Sequence, residues 1–89
     1  MESVKILKTI INKGNLQDFK TSLLEETQQL STSMIDTSFL FQKIYLHACL
    51  KKKVDIAEYL EKDIYPILPE IEKIAIRQCF AYGKYLLRR

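Results

Sequence analysis

The stretch Tyr45-Leu46-His47-Ala48-Cys49-Leu50-Lys51-Lys52-Lys53-Val54-Asp55-Ile56-Ala57-Glu58-Tyr59-Leu60 constrains this chain more than any other. An apolar helix-forming run ends at three lysines, and an amphipathic segment starts directly after them. In the second segment Val54, Ala57 and Leu60 recur at i, i+3 and i+6, with Ile56 widening the stripe. Two short helices joined by a tight polar link make an αα-hairpin. Neither helix buries its apolar side alone, so each needs neighbours of the same kind. The chain has 89 residues, which suits one domain spanning residues 1–89, and 47% of them are hydrophobic, enough for a core. Only two glycines and two prolines, with no Asn-Gly or Asp-Gly hairpin signal, argue against an all-β chain. The expectation is an all-α fold.

The hairpin pattern recurs on either side. Val4, Leu7, Ile10 and Ile11 share one helical face, Gly14 suits a left-handed C-terminal cap, and Asn15 suits the N-cap of a second helix carrying Leu16, Phe19 and Leu23. In this alignment Ile10-Ile11 match Ala48-Cys49, Gly14 matches Lys52, and Leu16 matches Val54, 38 residues later. A third copy aligns Gly83 with the same slot and Tyr85 with Val54, at an offset of 31 residues. Read that way, Gly83 is a turn; read as one helix running through it, it costs roughly 1 kcal/mol against alanine. Both readings stand at this stage.

Between the copies, Glu25 to Thr37 reads as helix end plus loop, with Asp36 or Ser38 as the next N-cap, and Glu61-Lys62-Asp63 end the central unit. The prolines push Tyr65 and Leu68 toward extended backbone. Pro69 opens a last helix with Glu70 and Glu72 near its positive end. Ile71, Ile74, Ala75, Gln78 and Cys79 supply that helix with an apolar face.

The central stretch resembles the ankyrin repeat, whose core pattern runs L-H-L-A-A-x-x-G-H-L-E-V-V-K-L-L. Ala48-Cys49 stand at the paired small residues, Leu50-Lys51 at the two variable positions, and Val54 to Leu60 follow the second helix. Lys43-Ile44 replace the helix-opening Thr-Pro, Lys52 replaces the turn glycine, and His47 sits one place later than the family's histidine. The resemblance implies about two and a half repeats, stacked as antiparallel helix pairs in a short solenoid; a compact five-helix bundle is the alternative. It also implies a concave face built from the variable positions: Asn12-Lys13, Leu50-Lys51 and Ala81-Tyr82, with Lys52 beside them. The function implied is binding of another protein, without catalysis. Members with few repeats are common in viruses and intracellular parasites, where they often intercept host signalling proteins. Since arrays usually need about three repeats, this chain is expected either to use its end units as caps or to form a homodimer.

The rest of the chemistry narrows the classes. His47 and Cys49 lie two residues apart on one helix and point to different faces, which disfavours a dyad. One histidine and no Cys-x-x-Cys pair leave no metal-ligand pattern, and no cofactor motif is present. Cys49 and Cys79 read as buried thiols of an intracellular protein, in cytoplasm or nucleus. No apolar run is long enough for a membrane span, and Glu2 and two lysines interrupt the N-terminal apolar residues where a signal peptide needs continuity. Residues 51–89 hold nine basic and six acidic side chains, hence the whole +3 net charge. That excess suits an acidic protein partner better than nucleic acid. The competing class is a small helical-bundle regulator, either death-fold-like or binding nucleic acid through Lys51, Lys52 and Lys53.

Overall fold

The computed structural model describes residues 2–30 and 37–88. Those residues form helices α1 (Glu2–Lys13), α2 (Leu16–Leu30), α3 (Thr37–Leu50), α4 (Val54–Tyr59) and α5 (Glu70–Arg88). A π-helical turn (Leu60–Ile64) and a 3₁₀ turn (Tyr65–Ile67) join α4 to α5. No strand occurs among the described residues. The fold is all-α.

Helix α3 is the hub, packed against α1 on one side and α5 on the other, with α4 behind it and α2 beside α4. Cross-contacts set the directions. His47 of α3 meets Asn12 of α1, Phe41 and Tyr45 of α3 meet Phe80 of α5, and Lys52 after α3 meets Leu86. Advancing along α3 from Tyr45 to Lys52 advances along α5 from Phe80 to Leu86, and the C-terminal turns of α1 and α3 meet, so α1, α3 and α5 run parallel. The polar pairs are separated by 35 and 34 residues. The core of this layer holds Leu7, Ile11, Leu40, Ile44, Tyr45, Ala48, Cys49 and Ile76, all 2% exposed or less. Burying one such Leu or Ile contributes roughly 1.5–3 kcal/mol.

The two turns are built alike. Gly14 has φ +77° and donates its N–H to Ile11 O (2.9 Å). Lys52 has φ +60°, the only non-glycine positive φ among the described residues, and donates to Cys49 O (3.1 Å) while Lys53 donates to Ala48 O (2.8 Å). The last two bonds are those of a Schellman cap, which places a left-handed residue just past the helix end. Asn15 caps α2 as expected, its Oδ1 accepting from Asp18 N (3.1 Å).

Elsewhere the fold departs from the sequence reading. Helix α2 runs through Thr27, Gln28 and Gln29 to Leu30 instead of fraying at Glu25. Ser38 lies inside α3, and the alternative cap Asp36 falls outside the described residues. Glu61, Lys62 and Asp63 continue the helix as a π turn, and Tyr65 is helical (φ −54°, ψ −45°) despite the following proline; Leu68 is extended as expected (φ −76°, ψ 152°). Pro69 stands one place earlier than expected, its carbonyl accepting from Glu72 N and Lys73 N (3.0 Å each) at the start of α5. Val54 faces solvent, whereas Ile56, Ala57 and Leu60 are buried.

Helix α5 shows the largest departures. It is continuous through Gly83, so no third turn forms there. Its buried residues are Ile76, Cys79, Gly83 and Leu86, while Ile71, Ile74, Ala75 and Gln78, assigned to the core from their spacing, are exposed. Both sides of α5 carry apolar residues, and the side with a glycine turned inward because α3 presents an aromatic ring there. A Cβ at Gly83 would collide with the Tyr45 ring and lie 2.9 Å from Cys49 Sγ.

Candidate protein-binding surfaces

Parallel α1, α3 and α5 finish at one end of the molecule, and that end collects five of the six sequence-derived candidates: Asn12, Lys13, Leu50, Lys51 and Lys52. Asn12, Lys13 and Lys51 are exposed, and Leu50 keeps 54% of its surface although it closes the hub helix. Two candidates also hold the fold together. Asn12 Oδ1 accepts from His47 Nε2 at 2.8 Å, tying α1 to α3. Lys52 donates its ammonium to the Leu86 carbonyl, one of the C-terminal carbonyls that α5 leaves without a helical partner. The sixth candidate, Tyr82, stands apart on the outer face of α5, stacked beside Tyr85 with ring centroids 6.3 Å apart.

The electrostatics of this end are those of helix C-termini dressed with lysines. The aliphatic stem and ammonium of Lys53 lie against Gly14 (3.1 Å from the position of a Cβ to Nζ), so the two hairpin turns touch. His47 is partly buried there, and desolvation first, then the Lys8 and Lys51 ammonium groups, hold it below its ordinary value. Burial and the two cations thus favour its neutral form, in which Nε2–H still donates to Asn12. His47 is a clamp between helices.

A second surface lies toward the opposite end, where α3 begins. Leu23 and Leu24 of α2, Leu40, Phe41 and Ile44 of α3, and Tyr59, Leu60, Ile64, Ile67 and Leu68 line an apolar groove of about 310 Å³, with Lys20 at its rim. The π and 3₁₀ turns build one wall: π segments place side chains off the α-helical register and recur at functional sites. Ile67 is 76% exposed and Leu24 61% exposed at its edge. The sequence carried a weak signal for this wall, an isoleucine set between two prolines.

The remaining reactive groups are inert by position. Cys49 and Cys79 are buried free thiols, and burial pushes both upward, away from the thiolate that nucleophilic chemistry needs. The Tyr45 hydroxyl is buried without a hydrogen bond of ordinary geometry, and burial followed by the neighbouring Cys49 raises it strongly. Among the described residues, no three His, Cys, Asp or Glu side chains converge on a metal position, and no helix is long and apolar enough to cross a membrane. Of the acidic trio on the central unit, Glu58 and Asp63 are exposed. Glu61 instead reaches Lys84 at 3.6 Å.

Comparison with protein-family models, with curated proteins and with solved structures returns no match.

Proposed function

We propose that this chain is a non-catalytic, ankyrin-like repeat module that binds another intracellular protein. The reading rests above all on the parallel register of α1, α3 and α5, whose polar cross-contacts fall 34 and 35 residues apart. That spacing is close to the 33-residue period of the family the central stretch resembles. Support for the binding edge comes from Leu50 and Lys51, which present a half-exposed apolar side chain and a free-standing charge on a rigid helix end. Interfaces draw most of their energy from a few such anchored contacts. A signalling protein with an acidic docking surface fits the positive end.

The test compares proteins retained by the wild-type chain with those retained by Leu50→Asp/Lys51→Glu and by Ile67→Asp. All three positions are exposed, so circular dichroism should be unchanged. The proposal expects one partner lost from the first variant and kept by the second. Loss only from Ile67→Asp would move the function to the apolar groove. If the captured material is nucleic acid and its affinity falls steeply with salt by counterion release, the lysine-patch alternative replaces this reading.

A further inference from the structure

Helix α5 has an outer face that no other part of the described chain covers. Ile71 is 78% exposed, Ile74 65%, Tyr82 55% and Tyr85 61%; Ala75, Gln78 and Ala81 are exposed between them. These seven residues lie within about 60° of one another's mean direction on a helix advancing 100° per residue. The stripe is symmetric about Gln78: Ala75 and Ala81 stand three residues away on either side, Ile74 and Tyr82 four, Ile71 and Tyr85 seven. Run antiparallel against a copy, the stripe therefore brings its isoleucine and tyrosine positions to the same heights. In an isologous two-fold interface residue i meets j and j meets i.

The charges beside the stripe select the direction. Glu70, which also reaches Lys73 at 3.6 Å, lies on one flank at the N-terminal end, and Arg88 and Lys84, the latter also reaching Glu61, lie on the same flank at the C-terminal end. A two-fold axis through Gln78 sets Glu70 of one copy between Lys84 and Arg88 of the other. A parallel arrangement would instead leave Glu70 at the opposite end from Lys84 and Arg88 of the other copy, and would also align the two helix dipoles unfavourably.

We propose that α5 pairs with α5 of a second copy, antiparallel, about an axis at Gln78. Each Ile71 then packs on a Tyr85 ring, while Ile74 falls opposite Ala81 and Tyr82 opposite Ala75. The two Gln78 amides meet on the axis, where a polar pair fixes register. The contact spans about 21 Å of helix, a small interface of the weak, transient class. Arg77 lies close to the axis on the same flank as its copy, and their repulsion limits the affinity. This surface is separate from the Leu50/Lys51 edge, so it stands or falls independently of the partner proposed above.

Sedimentation velocity across a concentration series up to about 300 µM tests it on the full chain. The wild type is expected to shift from monomer to dimer. Ile74→Glu should remain monomeric with an unchanged circular dichroism spectrum, Glu70→Lys should weaken the dimer about tenfold, and Arg77→Gln should tighten it. Disulfide trapping fixes the direction: Ile71→Cys mixed with Tyr85→Cys should cross-link, whereas Ile71→Cys alone should not. A wild type that stays monomeric throughout overturns the proposal, as does a dimer unaffected by Ile74→Glu or cross-linking of Ile71→Cys with itself.

Discussion

The segments around Gly14, Lys52 and Gly83 align on one slot, yet only the first two make a turn. At Gly14 the backbone takes φ +77° and the chain reverses. At Lys52 it takes φ +60° and reverses in the same way, although lysine has a Cβ that this conformation crowds. At Gly83 the helix continues, and the missing Cβ is used sideways, to let α5 approach Tyr45 and Cys49. The same residue type thus answers two demands, backbone conformation at one position and interhelical space at another. Lys52 shows that the first demand can be met without glycine when a side-chain tether, here to the Leu86 carbonyl, offsets part of the strain.

That comparison breaks most visibly at Gly83. Gly83→Ala should gain about 1 kcal/mol of helix propensity but lose more to collision with a buried ring. We expect a net loss of about 2 kcal/mol, read as a lower urea midpoint at unchanged slope. Tyr45→Leu should be less damaging in the Gly83→Ala background than in the wild type, a coupling a double-mutant cycle measures. Gly14→Ala should cost about 1 kcal/mol, because its φ disfavours any Cβ, while the nearest neighbour is the flexible end of Lys53. Equal losses at the two glycines would erase the distinction between a space-limited and a conformation-limited glycine.

The effects at Lys52 are smaller and oppose each other. Lys52→Gly relieves the left-handed strain but removes the Leu86 contact, so stability should change by no more than about 0.5 kcal/mol. Lys52→Met keeps the strain and loses the tether, and should cost about 0.5–1 kcal/mol. The smallest expected effect is at His47, which links the two turns through Asn12. Its folded value lies below 6.5, so the unfolded chain takes up the proton first as pH falls. The stability from neutral His47 is complete above about pH 6.5 and declines as pH drops from there through the folded value. Thermal melts at pH 7.5 and 5.5 should show this decline, and His47→Gln should flatten it.

The helical class, the two turns, their left-handed residues and the Asn15 cap were legible in the sequence, because each depends on neighbours within four residues along the chain. That Asn12, Lys13, Leu50, Lys51 and Lys52 sit at helix ends was legible too, because the turns at Gly14 and Lys52 follow them directly. The groove was not: it needs the chain to stay helical through Pro66, so that Ile64, Ile67 and Leu68 form a wall opposite Leu23 and Leu24. Local preference opposes this at Tyr65, and the packing of its ring on Phe80 overrides it.

What the sequence determined alone is therefore the helical class and the turns that end α1 and α3. Tertiary structure decided which side of α5 faces inward, whether Gly83 bends the chain, and that Val54 meets water while Ile56 does not. The physical reason is range. A cap is settled by hydrogen bonds to the adjoining turn. The choice between two apolar faces of α5 is settled by the shape of Tyr45, nearly 40 residues away in sequence, which leaves room for a glycine and none for an isoleucine.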